Sequence, residues 1–315
     1  MTTATLKKTS MAFQNEAIMK KLKESIRGVL ITPEDASYEE ERSVYNGMID
    51  RYPALVVKCR DVADVIAAVN FGRDQKVLVA IRGGCHNAGG LGVCDGGIVI
   101  DLSLMKGIRI DLKANTIRVE GGCILADIDH ATQPFGKAIP SGVIGTTGIA
   151  GLTLGGGIGH LSRKYGLAID SLLEADVVLA DGRLVRASER ENKDLFWAIR
   201  GGGGNFGVVT SFLFQMHEAG TIYGGPTLWN IEHATEIMRS YRDFILKAPS
   251  DVYCYFAFVT VPPVPMFPEE FHLKKMCALL WCNVGDHKKG ARAVQAFRDL
   301  RKPDLDYAGP LPYAA

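Results

Sequence analysis

Along this chain the apolar positions come in short runs whose spacing switches between two periods. Ile18, Leu22, Ile26 and Val29 recur at helical spacing and predict a helix over residues 13–29. Leu55-Val56-Val57 predicts a short strand. Asp61 then precedes the stripe Val62, Val65, Ile66 and Val69, the pattern of a capped helix. Strands are predicted over Val77 to Ile81, Ile98 to Leu102, Gly107 to Asp111 and Thr116 to Glu120, and a helix over Ile124 to Phe135. Ala175 to Ala180 and Leu184 to Ala187 read as two strands joined by Asp181-Gly182, a dipeptide that favours a tight primed turn. A short helix over Asn192 to Ile199 and a strand over Val208 to Met216 follow.

The character of the chain changes near Ala219-Gly220. Beyond it the pattern predicts a helix over Glu232 to Leu246, a strand over Val252 to Val261, a proline-rich loop, a strand over Lys275 to Val284 and a helix over His287 to Leu300. Pro303 to Ala315 is rich in proline, glycine and small residues and carries no predicted element. Short strands and helices alternate throughout, so the chain reads as a mixed α and β protein without a solenoid repeat.

Composition narrows the function classes. The 315 residues suit roughly two domains, and 47% hydrophobic residues can fill substantial cores. A formal net charge of +1 gives no bulk attraction to nucleic acid or to an anionic membrane. Residues Met1 to Ile31 carry Lys7, Lys8, Lys20, Lys21 and Lys23 in place of a signal-type apolar core. No apolar run reaches the roughly 18 residues a membrane span needs. The 7 cysteines are scattered without a C-x-x-C pair, which argues against a disulfide framework or a metal site and for a cytoplasmic location. Cys59, Cys123, Cys254, Cys277 and Cys282 fall in or near apolar segments and read as buried thiols. Tyr165 and Trp197 read as packing residues, and Glu39-Glu40-Glu41 as a solvated face.

Two glycine-rich runs carry the candidate chemistry. Arg82-Gly83-Gly84-Cys85-His86-Asn87 follows a buried-strand pattern. Paired glycines let the main chain approach a ligand and can aim amides at a phosphate. Arg82 would add a fixed positive charge, and His86 a nucleophile on the rim. The second run is Gly155-Gly156-Gly157-Ile158-Gly159. Together they suggest a diphosphate cofactor with an imidazole beside its reactive ring. A third run, Gly202 to Gly207, matches G-x-G-x-x-G, but a predicted helix precedes it and a strand follows, the reverse of a dinucleotide fingerprint.

Several longer runs resemble the FAD-binding (PCMH-type) domain of the vanillyl-alcohol-oxidase-type flavoproteins, most closely the berberine-bridge-enzyme-like branch. They are Tyr52-Pro53-Ala54, Arg82 to Asn87, Asp95 to Leu102, Gly148 to Gly157, Arg163 to Leu167, Ala175 to Val178, Asp194 to Ala198 and Arg200 to Thr210. The resemblance implies an α+β fold. Residues 49–219 would form an FAD-binding domain of two α/β subdomains, with residues 1–48 a helical segment packed on it. Residues 220–315 would be a partial α+β substrate domain with an antiparallel sheet, its open edge prone to self-association.

For the site, the resemblance implies FAD bonded covalently to His86 through the flavin 8α position. It implies further cofactor contacts from Arg82, Gly83, Gly84, Cys85, Asn87, Gly142, Thr146, Thr147, Gly148, Gly151, Gly155, Gly156, Gly157, Gly159 and Val208. Some relatives attach the flavin a second time through a cysteine where this chain has Ile144, so a single histidyl link is expected. Cys85 stands where many relatives carry glycine, and Ser171 replaces a usual asparagine. The implied reaction is oxidation of an alcohol, sugar or amine C–H bond by hydride transfer to flavin N5, with dioxygen as acceptor and no metal. The family's base comes from a region beyond Ala315, so no catalytic base is assigned. Two other readings stay open. One is a non-catalytic flavin-binding remnant, or half of a partner-completed enzyme. The other is a protein of this fold that has lost its flavin and binds a partner through the open edge.

Overall fold

The computed structural model describes Phe13 and residues 15–314. Of the expected N-terminal segment, residues 1–12 and 14, with Lys7 and Lys8, lie outside the described residues, as does Ala315. The chain divides into two compact units. The first comprises the described residues up to Ala131, Ile139–Gly159 and Leu167–Met216, and the second Thr132–Ala138, His160–Gly166 and the described residues from His217 on. Among the described residues no helix is long and apolar enough to cross a membrane.

The first unit begins with helix α1 (Glu16–Ser25), capped by the Asn15 carboxamide, which accepts from the amides of Ala17 and Ile18. The helix stops short of the expected Val29. The amides of Arg27 and Gly28 donate instead to the Asp64 carboxylate at 2.8 and 3.0 Å, and Val29–Ile31 pairs as strand β1. After the short helix α2 (Tyr38–Arg42), strand β2 (Leu55–Lys58) leads to helix α3 (Val62–Gln75), capped by Asp61, and then to β3 (Val79–Arg82) and β4 (Ile98–Asp101). The sheet order is β1-β2-β4-β3, with β2, β4 and β3 parallel and β1 antiparallel at one edge. Both faces of β4 are covered, so its four residues are all buried and its sequence runs apolar without alternation until Asp101.

A second sheet in this unit is wholly antiparallel. It contains β5 (Ile108–Asp111), β6 (Thr116–Glu120), β8 (Leu172–Val178), β9 (Leu184–Ser188) and β10 (Val208–Gln215), in the order β5-β6-β10-β8-β9. Ile117, Val119, Ala175, Val177, Phe212 and Phe214 bury one face in a core shared with Leu125, Ile128, Ile149, Phe196 and Ile199. Those five come from helices α4 (Leu125–Thr132), α5 (Ile149–Leu154) and α7 (Lys193–Ile199). Alternate positions carry an ion network in which Arg118 pairs with Glu174 and Asp176. That alternation is what an antiparallel sheet with one wet face requires.

The β8–β9 turn differs from the expected primed turn. The Gly182 amide donates to Leu179 and the Leu179 amide to Arg183, and of the turn residues only Gly182 has positive φ, at +84°. This is a three-residue loop closed by a glycine bulge, since a primed turn would also force positive φ on Asp181. Trp197 is 80% exposed and therefore not the packing residue its size suggested. Glu41 leaves the solvated face expected of it, pairing with Lys58 at 2.5 Å and lying 3.5 Å from Arg82.

The second unit holds more sheet than its sequence pattern announced. Strand β12 (Thr221–Asn230) lies at its centre, antiparallel to β14 (Lys275–Asn283) on one side and to the short β15 (Leu305–Asp306) and β16 (Gly309–Pro312) on the other. β13 (Val252–Thr260) pairs with β14 and ends the sheet order. The sequence hid β12 because Gly224-Gly225-Pro226 reads as a breaker. A Cβ on Gly225 would lie 2.5 Å from the Tyr307 oxygen, and φ there is +106°, so the glycine lets β15 and β16 close on the strand. Helices α8 (Ala234–Ile245) and α9 (His287–Leu300) cover one face around Trp229, Leu279, Trp281, Val294 and Phe297. A short ribbon pairs β7 (Lys137–Ala138) with β11 (His217–Glu218), and the one-turn helix α6 (Ser162–Tyr165) brings Tyr165 to stack on His217 at 4.2 Å.

Candidate functional site

Strand β3 delivers the first glycine loop. Its alternation turns Ala80 and Arg82 inward, and the Arg82 guanidinium donates to Asp101 Oδ2 at 2.9 Å (Nε) and 2.6 Å (Nη2), with both side chains almost wholly buried. The fixed charge expected of Arg82 in the loop is therefore neutralised inside the sheet. Parallel pairing sets Arg82 opposite Asp101, and a buried cation needs such a partner. Arg82 acts on the loop as an anchor at its root.

Beyond Arg82 the main chain carries the polarity. Among the described residues, the amides of Gly83, Gly84, Cys85 and His86 donate to no protein acceptor. A Cβ on Gly83 would lie 3.1 Å from the Gly121 oxygen. A Cβ on Gly84 would overlap the Gly148 amide, and one on Gly148 would overlap the Gly84 amide. Cys85 sits at φ +60°, the left-handed region in which glycine is favoured. Burial raises its thiol pKa. Asn87 folds back, its Oδ1 accepting from the Leu91 amide at 3.1 Å.

The loop facing it is fastened to the start of α4. The amides of Leu125 and Ala126 donate to Thr147 and Gly145, and that of Ile149 to Cys123. This fixes two threonines against His86. Its Nε2 lies 3.0 Å from Thr146 Oγ1, and its Nδ1 lies 3.4 Å from Thr147 Oγ1. Tyr45 stacks on the imidazole with centroids 4.1 Å apart and planes 17° apart. Sequence reasoning found His86, Thr146 and Thr147 but missed Tyr45, which lies 41 positions upstream of His86 in a segment without a motif. Ile144 is 53% exposed near this loop. Gly142 follows Ser141, whose buried hydroxyl makes no hydrogen bond.

The second glycine loop is chiefly a packing device. Gly156 and Gly157 have φ of +110° and +76°, and a Cβ on Gly157 would lie 2.5 Å from Ala168 Cβ. Their carbonyls accept from Ile169 and Ala168, and Gly159 presses on the Ser141 oxygen. Gly151 and Gly155 are exposed, and Gly151 has open space beside it. Val208 lies elsewhere in the unit, lining an apolar cleft of 380 Å³ with Val69, Val79, Ile81, Val178 and the Gly204–Gly207 loop. That loop follows α7 and precedes β10, the order that excludes a dinucleotide fingerprint.

Residues 53–188, which contain both glycine loops, match the FAD binding domain family. The chain therefore carries an FAD binding domain, and the relatives it matches are FAD-linked oxidoreductases and oxidases. It is 40% identical over 213 residues to an FAD-linked oxidoreductase of Dictyostelium discoideum, a match covering 67% of this chain and 46% of that protein. It is 35% identical over 213 residues to the glucooligosaccharide oxidase of Sarocladium strictum, covering 66% and 42%. The structure of 6-hydroxy-D-nicotine oxidase from Arthrobacter nicotinovorans superimposes with a TM-score of 0.84 at 31% identity, over 92% of this chain and 63% of that one. The chain thus has the fold of these flavoproteins and spans about half the length of the curated relatives it matches.

Proposed function

We propose that this protein binds FAD through the loop Arg82–Asn87, carries it on a single covalent bond to His86, and serves the oxidation of a small alcohol, sugar or amine. The observation that carries the reading is the His86 imidazole, held by two threonine hydroxyls and an aromatic face beside four unengaged amides.

The residues present fit the cofactor. The Gly83 to His86 amides suit the oxygens of a diphosphate, and they can approach it because Gly83 and Gly84 have no side chains. The cleft at Val208 has the volume and apolar lining of a ligand pocket and suits a purine ring. His86 supplies the nucleophilic nitrogen. In a neutral imidazole one ring nitrogen donates and the other accepts, and a threonine hydroxyl can serve either. Thr146 and Thr147 therefore keep the ring in place in both tautomers. Ile144 offers no second attachment. FAD, when bound, supplies the two-electron chemistry, accepting hydride at N5 and passing the electrons to dioxygen.

The test is flavin fluorescence of the purified chain on a denaturing gel, for wild type and His86→Ala. Fluorescence in wild type and its loss in the variant support the histidyl bond. A dark wild-type band refutes it, and the absorption spectrum of the native protein then shows whether FAD is held without a bond.

A further inference from the structure

We infer that Tyr45 is a positioning residue for His86, setting the plane of the imidazole so that a ring nitrogen meets the flavin. The inference rests on the covalent attachment proposed above and adds a residue to it.

Burial does not explain where Tyr45 sits, because the side chain is 69% exposed. Its place comes from main-chain fastening. The Tyr45 amide donates to the Cys85 oxygen at 3.1 Å, and Asn46 Nδ2 donates to the Ala88 oxygen at 2.8 Å. Arg51 Nη1 donates to the oxygens of Gly90 and Val93, both at 3.1 Å. Gly90 admits Ile49 so closely that a Cβ there would lie 2.6 Å from it. Residues 45–51 therefore run along the histidine loop and carry the phenol ring onto the imidazole.

The constraints on His86 are complementary. Contacts from Thr146 and Thr147 to the two ring nitrogens restrict rotation within the ring plane. They leave the tilt of that plane free, because hydroxyls rotate. The Tyr45 face, 17° from parallel, removes the tilt. Attachment needs that control. An N–C bond forms between imidazole and the 8α carbon, one proton leaves the nitrogen and one leaves the carbon, and the displaced electron pair passes through the flavin to dioxygen, giving hydrogen peroxide. A nucleophile held in line gains rate without any change in its chemistry.

The experiment times covalent incorporation in full-length chain prepared without flavin, mixed with FAD in air, and read by gel fluorescence alongside FAD affinity. Tyr45→Ala should slow incorporation by about threefold to tenfold, the rate equivalent of one aromatic pair, with FAD affinity unchanged. Tyr45→Phe, which keeps the ring, should restore the wild-type rate. Equal rates for wild type and Tyr45→Ala would overturn the inference, as would equal slowing by both variants. If wild type takes up no covalent flavin, the attachment reading falls and proton resonances decide the positioning. The ring current of Tyr45 should shift the His86 imidazole protons in wild type and Tyr45→Phe but not in Tyr45→Ala. Identical shifts in all three would refute it.

Discussion

Gly84 and Gly148 touch main chain to main chain, so that a methyl group on either would collide with the amide of the other. They belong to loops that are 64 residues apart in sequence, and their contact sets His86 against Thr146 and Thr147. The missing side chains are thus a condition of the site's geometry as well as of its access.

A methyl group at this contact should separate the loops. Gly84→Ala is expected to cost about 1–3 kcal/mol of stability, the usual price of overpacking a tight contact. It should also lower FAD loading, whereas Gly151→Ala, where nothing lies within 4 Å of the added carbon, should cost little stability. Urea unfolding and flavin absorbance per mole of chain check both.

Cys85 holds a left-handed conformation that disfavours residues with a Cβ. Among the described residues its thiol's one hydrogen-bond contact is with the Gly83 oxygen, at 3.7 Å. Cys85→Gly should therefore stabilise the protein by about 1 kcal/mol while leaving FAD loading unchanged. A loss of flavin would show that the thiol has a role the turn does not account for.

Asp64 is fully buried, and its carboxylate accepts from three amides, those of Arg27, Gly28 and Arg60. Asp64→Ala orphans all three and should cost about 3 kcal/mol or more. Asp64→Asn keeps one acceptor and should recover part of it. Thermal unfolding of the two variants gives the order.

Burial pushes the Asp129 carboxyl up to about 6 from an ordinary 3.8. Below about pH 3 the group is largely protonated whether the chain is folded or not, and it costs little. As pH rises from about 4 to 6 the unfolded chain releases the proton first, so stability falls and then levels off. The deficit above pH 6 is on the order of 3 kcal/mol. Asp129→Asn should be more stable than wild type at pH 7 and close to it at pH 3, which urea unfolding at the two values tests.

Much of the fold is visible in local pattern. The capped stripe after Asp61 and the strands at Leu55, Thr116 and Lys275 form where their apolar positions place them, the strand at Thr116 burying alternate residues and those at Leu55 and Lys275 burying nearly every residue. Cys59, Cys123, Cys254, Cys277 and Cys282 are buried as their apolar neighbours imply. Strand β12 escaped because its glycines serve β15 and β16, partners about 80 residues away. Helix α1 ends early because a carboxylate 36 residues downstream captures the amide of Gly28.

Local pattern was enough to place most strands and helices of the first unit, the two glycine loops, His86 at the end of the first of them and Ile144 in the loop that faces it. These are local: composition and spacing set which backbone conformations and side chains exist at each point. Tertiary structure alone decided that Arg82 is neutralised by Asp101, that Cys85 takes a glycine's conformation, and that Tyr45 lies on His86. Each of these depends on contact between distant segments, where one segment's hydrogen bonds and volume are satisfied by another's, and no local pattern records the partner.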